Sequence, residues 1–438
     1  MKPGRKLTKF AASIGIDWSD KKHDICEWNA EKQTESTAVV ENRPERLHEW
    51  ICSLRERYRG QQVAVGLEQS KGALAYLLMQ YGFITIFFIH PATVKKMRDA
   101  WTPSGAKDDP GDAGLIMELV RDSNYKLTAW RPDTPETRRL QLLCEHRRKF
   151  INLRVKLTNR LRSVLKDYYP LACEVAGDKL NEGLALDFLT RWPTLEALKR
   201  ARPSTLHSFY TRHSSRYMKT IEKRIEAIAE AEPVTDDEVI IESHSMQALA
   251  LVAQLKTLRK TIQDYDKLIG KIYRQHDEAR IIASLPATGK VFGPRLIAAL
   301  GTDRNRFGSA GELANYSGIA PVTERSGKML WIHRRWKCPV FVKQSFHEWA
   351  NETTKHSLWA RAFYVQARER GMGHHQAVRA LAFKWIRIIY RCWKEQVPYD
   401  EMHYISILKR RGSELWTTIT EHPDAVKLNG PLESQFLG

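Results

Sequence analysis

The sequence has few cysteines, no long apolar run and too little acid for its base. Six cysteines (Cys26, Cys52, Cys144, Cys173, Cys338, Cys392) are scattered over 438 residues without a CxxC pair or zinc spacing. That excludes a disulfide-stapled scaffold and a cysteine-held zinc module, and it points to reduced cytosolic thiols. No stretch approaches the roughly 18 apolar residues of a membrane-spanning helix. The basic start (Lys2, Arg5, Lys6, Lys9) runs into a strand-like segment, not a signal-peptide core. Asp and Glu number 51 against 70 Lys and Arg, a formal charge of +19. A chain this basic calls for a polyanion, and 13 Trp and 15 Tyr add stacking surface. An anionic membrane surface is the competing partner. The length implies two or three domains.

Residues 10–130 alternate between strand and helix patterns. Phe10 to Asp17 is a short apolar run ending in an acid, and His23–Asn29 and Thr37–Glu41 read as two further strands. Arg43–Arg57 is amphipathic, with Leu47, Trp50, Ile51 and Leu54 on one side. Gln62 to Glu68 is a fourth strand, again ending in an acid. A helix over Lys71–Tyr81, a strand over Ile84–Ile89 and a helix after Pro91 follow. Open α/β sheets carry their sites at the carboxyl ends of strands, where Asp17 and Glu68 fall. In an RNase H-type sheet the first and fourth strands are neighbours.

Lys107-Asp108-Asp109-Pro110-Gly111-Asp112 then opens an apolar-periodic helix (Ala113, Leu115, Ile116, Leu119, Val120). Asp109 and Asp112 share a face at three-residue spacing. One reading is N-capping by Asp108 or Asp109. The other joins Asp109 and Asp112 to Asp17 and Glu68 as four carboxylates for hard divalent cations, Mg²⁺ or Mn²⁺. Two such ions about 4 Å apart stabilise the entering and leaving oxygens of phosphoryl transfer.

Arg131-Pro132 and Pro135 break the chain before a long helix, Glu136–Tyr168, with Leu140, Leu143, Phe150, Leu157, Leu161 and Val164 on one stripe. Its other faces carry Arg147, Arg148, Lys149, Arg154, Lys156, Arg160, Arg162 and Lys166, with no acid between Glu145 and Asp167. Interleaved acids would relieve repulsion on a merely solvated face, so this one reads as a groove for a phosphate backbone. Short helices broken by Pro193, Pro203 and Pro233 follow. A second long helix over Ser245–Glu278 keeps heptad spacing through Leu251, Leu255, Leu258, Ile262, Tyr265, Ile269 and Ile272. It pairs either with the first long helix or with another protomer.

Ile281–Gly301 has a helix-hairpin-helix shape, whose turn amides and helix start suit a backbone phosphate. Ser326 lies in a polar loop between Gly318, Pro321 and Gly327, flanked by Arg325 and Lys328. No acid occurs from Arg325 to His347, while Arg334, Arg335, Lys337 and Lys343 accumulate. A flexible glycine flank and cations beside a serine are what attack on phosphorus needs. Phe341–Gln366 and His374–Glu395 read as helices whose Trp349, Trp359, Trp385 and Trp393 are core. Past Arg411 the tail is polar and loosely ordered.

FAASIGIDWSDKKHD, VAVGLEQSKG and AKDDPGDA resemble the DEDD transposases of the one-hundred-and-ten group of insertion sequences and its eleven-eleven relatives, which include Piv-type DNA invertases. Asp17, Glu68, Asp109 and Asp112 match the tetrad, with Gly15 before the first acid and Lys107 opening the helix motif. SGIAPVTERSG, Ser317 to Gly327, is similar to the second signature, with Ser317 for the usual Ala and Ile319 for the usual Leu. QAVRALAFKWIRIIYRCWKEQVPYD resembles the closing helix. The chain departs from the pattern at Ala287-Thr288-Gly289, which keeps one hairpin glycine, and at Trp336-Lys337-Cys338-Pro339, where Ser-Lys-x-Gly is usual. The resemblance spans about residues 10–125 and 280–400.

It implies a RuvC-like domain of the RNase H class over 1–130, a helical linker with coiled coil over 131–279, and a helical transposase domain over 280–400 that starts helix-hairpin-helix-like. Residues 401–438 are expected as a polar tail. The fold class is thus α/β plus all-α. The resemblance further implies that Ser326 is the nucleophile of a covalent serine–DNA step, and that homo-oligomers form through the linker helix, a dimer or a tetramer on DNA. It also implies that a structured non-coding RNA from the element pairs with donor and target DNA. The protein is expected in a prokaryotic cytoplasm, at the nucleoid when active, with no membrane partner. The competing enzyme is a RuvC-type junction resolvase using metal-activated water. A nucleic-acid-binding scaffold with a dead core would have no reason to retain four clustered acids.

Overall fold

The computed structural model describes residues 10–68, 72–101, 109–122, 127–213, 217–327 and 329–422, without the side chains of Asp109 and Pro110. It divides into two compact units, Met1–Pro132 and Asp133–Gly438.

The first unit is a six-stranded sheet with helices on both faces. Strands β1 (Ala12–Trp18), β2 (Lys22–Asn29) and β3 (Thr34–Glu41) form an antiparallel meander. After α1 (Pro44–Arg57), β4 (Val63–Leu67) pairs parallel to β1. Then come α2 (Ala73–Leu78), β5 (Ile84–Phe88), α3 (Pro91–Trp101), α4 (Asp109–Arg121) and a two-residue edge strand β6 (Ala129–Trp130). The order β3-β2-β1-β4-β5-β6 makes β1 and β4 the centre. All five residues of β4 are buried, as a strand covered on both faces requires. Because side chains alternate, Ala12, Ile14 and Ile16 of β1 pack with Leu47, Ile51 and Leu54 of α1. Ser13, Gly15 and Asp17 take the opposite face, under α4.

The second unit is helical around two long antiparallel helices, α5 (Pro135–Tyr168) and α11 (Glu238–Gln275). Thr137 at the start of α5 meets His276 just past the end of α11 (2.9 Å), and Tyr168 at its end meets His244 (ring centroids 6.1 Å). Five short helices close over the far half of this pair: α6 (Ala172–Val175), α7 (Gly183–Arg191), α8 (Leu195–Lys199), α9 (Pro203–Arg212) and α10 (Met218–Glu230).

At the other end lie α12 (Ala279–Ala283), α13 (Gly289–Leu300) and α14 (Ala310–Tyr316), then a hairpin of β7 (Val322–Ser326) and β8 (Met329–His333). The chain closes with α15 (Val340–Thr353), α16 (Leu358–Glu369), α17 (His374–Glu395), α18 (Glu401–Arg410) and α19 (Glu414–Glu421). Trp349, Trp359, Trp385 and Trp393 are fully buried, as expected for core. Their indole N–H groups donate to Pro286 O, Tyr399 Oη, Thr353 Oγ1 and Gly301 O, so the large rings bury no unpaired donor.

Four sequence expectations change. Helix α11 begins at Glu238, earlier than Ser245, because Asp237 caps Val239 and Ile240, and its stripe residues Leu251, Leu255, Leu258, Ile262 and Ile269 are buried within the chain. The stripe therefore serves packing in one protomer, with Phe150 of α5 edge-on to Tyr265. The Phe341–Gln366 helix is two helices, since Ser357 caps Ala360 and starts α16. The start of the expected polar tail, and the part past Arg411 expected to be loosely ordered, form α18 and α19, with Ile405, Leu408, Leu415 and Ile419 buried. The polar loop around Ser326 is a β-hairpin, whose β-branched and aromatic residues (Val322, Thr323, Trp331, Ile332) favour strand. Among the described residues no helix is long and apolar enough to cross a membrane.

Candidate active site

Two glycines decide where the acids stand. Gly15 of β1 and Gly66 of β4 are register partners beneath α4. A Cβ on Gly15 would lie 2.1 Å from the Ala113 carbonyl oxygen and 2.3 Å from the Met117 nitrogen. One on Gly66 would lie 2.6 Å from Ile116 Cγ2 and from Val120 Cγ2. Helix α4 thus rests almost on the sheet backbone, an approach only glycine permits.

Asp17 and Glu68 each follow their glycine by two residues and so project from the same face. They stand side by side, one position past the last register pair, Ile16 and Leu67. Both are half-buried. Asp112 precedes the residue that touches Gly15 and is buried at the same end, 6 % exposed. A small cleft adjoins Glu68, bounded by Ile16, Trp18, Leu67 and Gly72. Asp109 begins α4, but its side chain lies outside the described residues, as do Lys107 and Asp108.

A residue missed in the sequence completes this picture. Arg98 of α3 donates from Nε to Asp112 Oδ1 (2.8 Å) and from Nη2 to both oxygens (2.5 Å). The Asp112 hydrogen bond raises the Arg98 guanidinium above its ordinary value, and the charges of Asp112, Glu68 and Asp99 act in the same direction. A lone arginine on an amphipathic helix carries no sequence signal. Among the described residues no three His, Cys, Asp or Glu groups come close enough to hold a metal ion. The donors at this end are all carboxylate oxygens, which suits Mg²⁺ or Mn²⁺ and not a soft metal. Asp17, Glu68 and Asp112 lie at one end of the sheet without forming a metal-holding group as they stand; they are the residues that would hold such an ion once Asp112 is released from Arg98 toward the two strand-end acids.

Ser326 belongs to the second unit. It is the last residue of β7, opposite Met329, exposed beside the turn at Gly327, whose φ of 57° suits glycine. The signature before it is a brace. Ser317 is buried and donates to Ala314 O, and Gly318 (φ 69°) packs so closely on Cys338 that a Cβ would stand 2.2 Å from its sulfur. Arg325 and Lys337 are exposed, Arg334 lies over the Trp336 ring at 3.5 Å, and Arg335 donates to Asn315 Oδ1 (3.0 Å). Lys328 lies outside the described residues. Met329, Leu330, Trp331 and Ile332 are all more than half exposed along β8.

On α5 the expected basic groove is shorter than the sequence reading. Lys149, Lys156, Arg160, Arg162 and Lys166 are exposed and Arg154 is half-buried. Arg147 and Arg148 instead turn inward, onto Asp266 (2.5 Å) and Glu348 (3.0 Å).

Two family models match the sequence, one described as transposase, of the DEDD type, over residues 14–170 and one as transposase of the IS116/IS110/IS902 family over residues 279–365. The first spans β1, β4 and α4; the second spans the hairpin that carries Ser326. The chain belongs to the IS116/IS110/IS902 family of transposases. This transposase is 26 % identical over 401 residues to the IS117 mini-circle protein of Streptomyces coelicolor, itself provisionally named a transposase, with 90 % of this chain and 96 % of that one covered. It is 28 % identical over 385 residues to a 44.8 kDa protein of insertion element IS116 from Streptomyces clavuligerus, covering 87 % and 94 %. A 42 kDa protein of IS900 from Mycobacterium paratuberculosis is 25 % identical over 396 residues, covering 88 % and 96 %. The transposase is thus an α/β domain followed by a helical one, and its reaction is strand transfer on DNA.

Proposed function

We propose that this transposase moves its insertion sequence by metal-dependent cleavage and rejoining through a serine–DNA intermediate, with a structured non-coding RNA of the element choosing the sites. What supports the metal part is the placement of Asp17, Glu68 and Asp112 at one end of the sheet, beside the Gly15–Gly66 pair on which α4 rests. Three acids delivered to one end by two strands and a helix, at the cost of two glycines, suit a site for hard cations. Asp109 would be the fourth ligand. Mg²⁺ or Mn²⁺ bound there would supply charge to stabilise the oxygens around the scissile phosphorus. The protein's own part is to fix these carboxylates on rigid elements and to bring the phosphate to them.

Ser326 Oγ would attack the phosphorus, one deoxyribose oxygen would leave with the proton, and a serine phosphodiester would retain the bond energy for rejoining. An exposed hydroxyl at the tip of a two-stranded arm is accessible to a DNA backbone, and Arg325, Arg334 and Lys337 supply positive charge beside it. Distributed Lys and Arg, from Lys149 to Lys166 on α5, suit phosphate contacts more than base reading, which fits a protein that leaves sequence choice to RNA pairing.

A labelled DNA carrying a nick close to the cleavage site tests the reaction, because the short released strand diffuses away before religation. Label should migrate with the protein on a denaturing gel and map between Arg325 and Lys328. Ser326→Ala should abolish the adduct. Cleavage by Ser326→Ala at parental rate with free ends would replace the serine by water as nucleophile.

A further inference from the structure

The structure assigns a phosphate-binding site to the cleft where α5, α11 and the start of α13 meet, built from Arg147, Arg148, Lys290 and Arg295. The inference rests on the DNA chemistry of the family and is independent of Ser326 and of the metal. The cleft is narrow, with room for little more than one water-sized group, and it is partly open to solvent. A space that small excludes a nucleoside, and what it suits is the oxygens of a single oxyanion reaching in from the mouth.

Charge is the first argument. Four cations line or border the cleft against two acids. Asp266 is taken by Arg147 (Nε to Oδ1, 2.5 Å). Glu348 is shared between Arg148 (Nη2 to Oε1, 3.0 Å) and Arg295 (Nη1 to Oε2, 2.7 Å). Two positive charges are therefore left over in a partly enclosed space. Arg295 is only 5 % exposed and its Nε donates to Ser345 Oγ (3.0 Å). Burial lowers the Arg295 guanidinium from its ordinary value; the Glu348 hydrogen bond opposes that, and Arg148 adds to it. An excess of buried cation is costly until an anion joins it.

Hydrogen bonding is the second and independent argument. Arg295 Nη2 and Arg148 Nε are buried with no hydrogen-bond partner among the described residues. Both residues line the cleft. Native interiors seldom leave guanidinium donors unmade, and an oxyanion would satisfy both forks together.

The third argument is the helix start. Twelve-residue α13 opens at this cleft through Lys290 and Val291, with no side-chain cap on its first turn. Its free amides and positive dipole end favour an anion. The preceding turn has Ala287 at φ 58°, and the helix itself opens on Gly289 at φ 37°. Exposed Lys290 would meet the ligand at the mouth, and buried Arg295 at the floor. The phosphate of a nucleic-acid backbone is the occupant, and free phosphate shares its chemistry.

Thermal unfolding of the full-length protein in inorganic phosphate, with chloride balancing ionic strength, tests the site. Phosphate should raise the midpoint saturably. The Arg148→Gln, Lys290→Gln double variant, which leaves Glu348 paired with Arg295, should bind phosphate at least tenfold more weakly. Asp17→Ala should respond like the parent, which separates this site from failure of the carboxylate reading. The occupant is then read from binding of a short labelled oligonucleotide across salt concentrations. For a backbone phosphate, the double variant flattens the slope of log affinity against log salt by about one, and phosphate competes with the parent's binding only. A phosphate-stabilised parent whose slope the variant leaves unchanged identifies free phosphate and overturns the backbone assignment. Equal stabilisation by phosphate and chloride, or an undiminished response in the double variant, overturns the site itself.

Discussion

At the scale of single residues, the site is made by what Gly15 and Gly66 lack as much as by what the acids carry. A methyl group on Gly15 would meet backbone atoms, which cannot rotate away, so α4 would lift and take Asp112 with it. Asp112 is then held by Arg98 in a pair whose side chains are 9 % and 20 % exposed. This degree of burial makes the pair worth more than a surface ion pair. Arg98→Ala should cost the metal-free protein about 1–3 kcal/mol, the usual penalty for stranding a buried hydrogen-bonded charge. Mn²⁺ should then stabilise the variant more than the parent, because no guanidinium competes for Asp112. Melting curves in EDTA and in Mn²⁺ measure both effects, and equal metal responses in the two proteins would remove Arg98 from the argument. Asp17 and Glu68 were legible in the sequence because each ends an apolar strand. Gly66 and Arg98 were not: a glycine inside a strand and an arginine on a helix gain meaning only from the neighbour they meet in three dimensions.

At the scale of elements, periodicity revealed which helices exist but not what covers them. The stripe of α11 from Leu251 to Ile272 is the pattern of a helix pair, and a pair within one chain leaves the same pattern as a pair between chains. The structure puts α5 and the short helices on it. Lys at both Leu258 and Ile262 would bury two charges in that seam, at several kcal/mol each. A domain holds only about 5–15 kcal/mol in reserve, so the second unit should lose its fold and not merely separate from a partner. Circular dichroism and urea titration should show lost helix and an early transition; a smaller, fully folded species with parental stability would return the stripe to an interface. The β7–β8 arm escaped the sequence reading for a related reason. Its strands are too short for a clear alternation, and its Trp331 and Ile332 are exposed, so neither period nor burial pattern marks it. The glycine-rich flank of Ser326 suggested a loop, whereas Gly327 is the left-handed residue that lets a tight hairpin turn.

At the scale of the whole molecule, the proposed chemistry is divided between two units of one chain. The carboxylates sit in Met1–Pro132 and Ser326 in Asp133–Gly438, joined at the prolines around residue 133. Such a division allows the two halves of a working site to come from different protomers of an oligomer assembled on nucleic acid. Neither half alone would then cut, which keeps a free transposase from nicking DNA at random. Mixing two inactive proteins tests this. Asp17→Ala or Glu68→Ala removes a carboxylate and leaves Ser326, while Ser326→Ala does the converse. Both should still bind nucleic acid, because affinity comes from Lys and Arg spread over many positions and not from these side chains. If each site draws its carboxylates from one protomer and its serine from another, a random dimer of equal parts contains one intact site in every mixed pair. Cleavage should then recover to roughly a quarter of the parental rate, since about half the dimers are mixed and each has one of two sites working. The serine–DNA adduct should form only on the carboxylate-deficient chain, which distinguishes exchange of halves from contamination by parent protein. The two chains can be told apart on the gel by a size tag. No recovery at any ratio, with both variants shown to co-assemble on DNA, would put the carboxylates and Ser326 of each site in the same protomer.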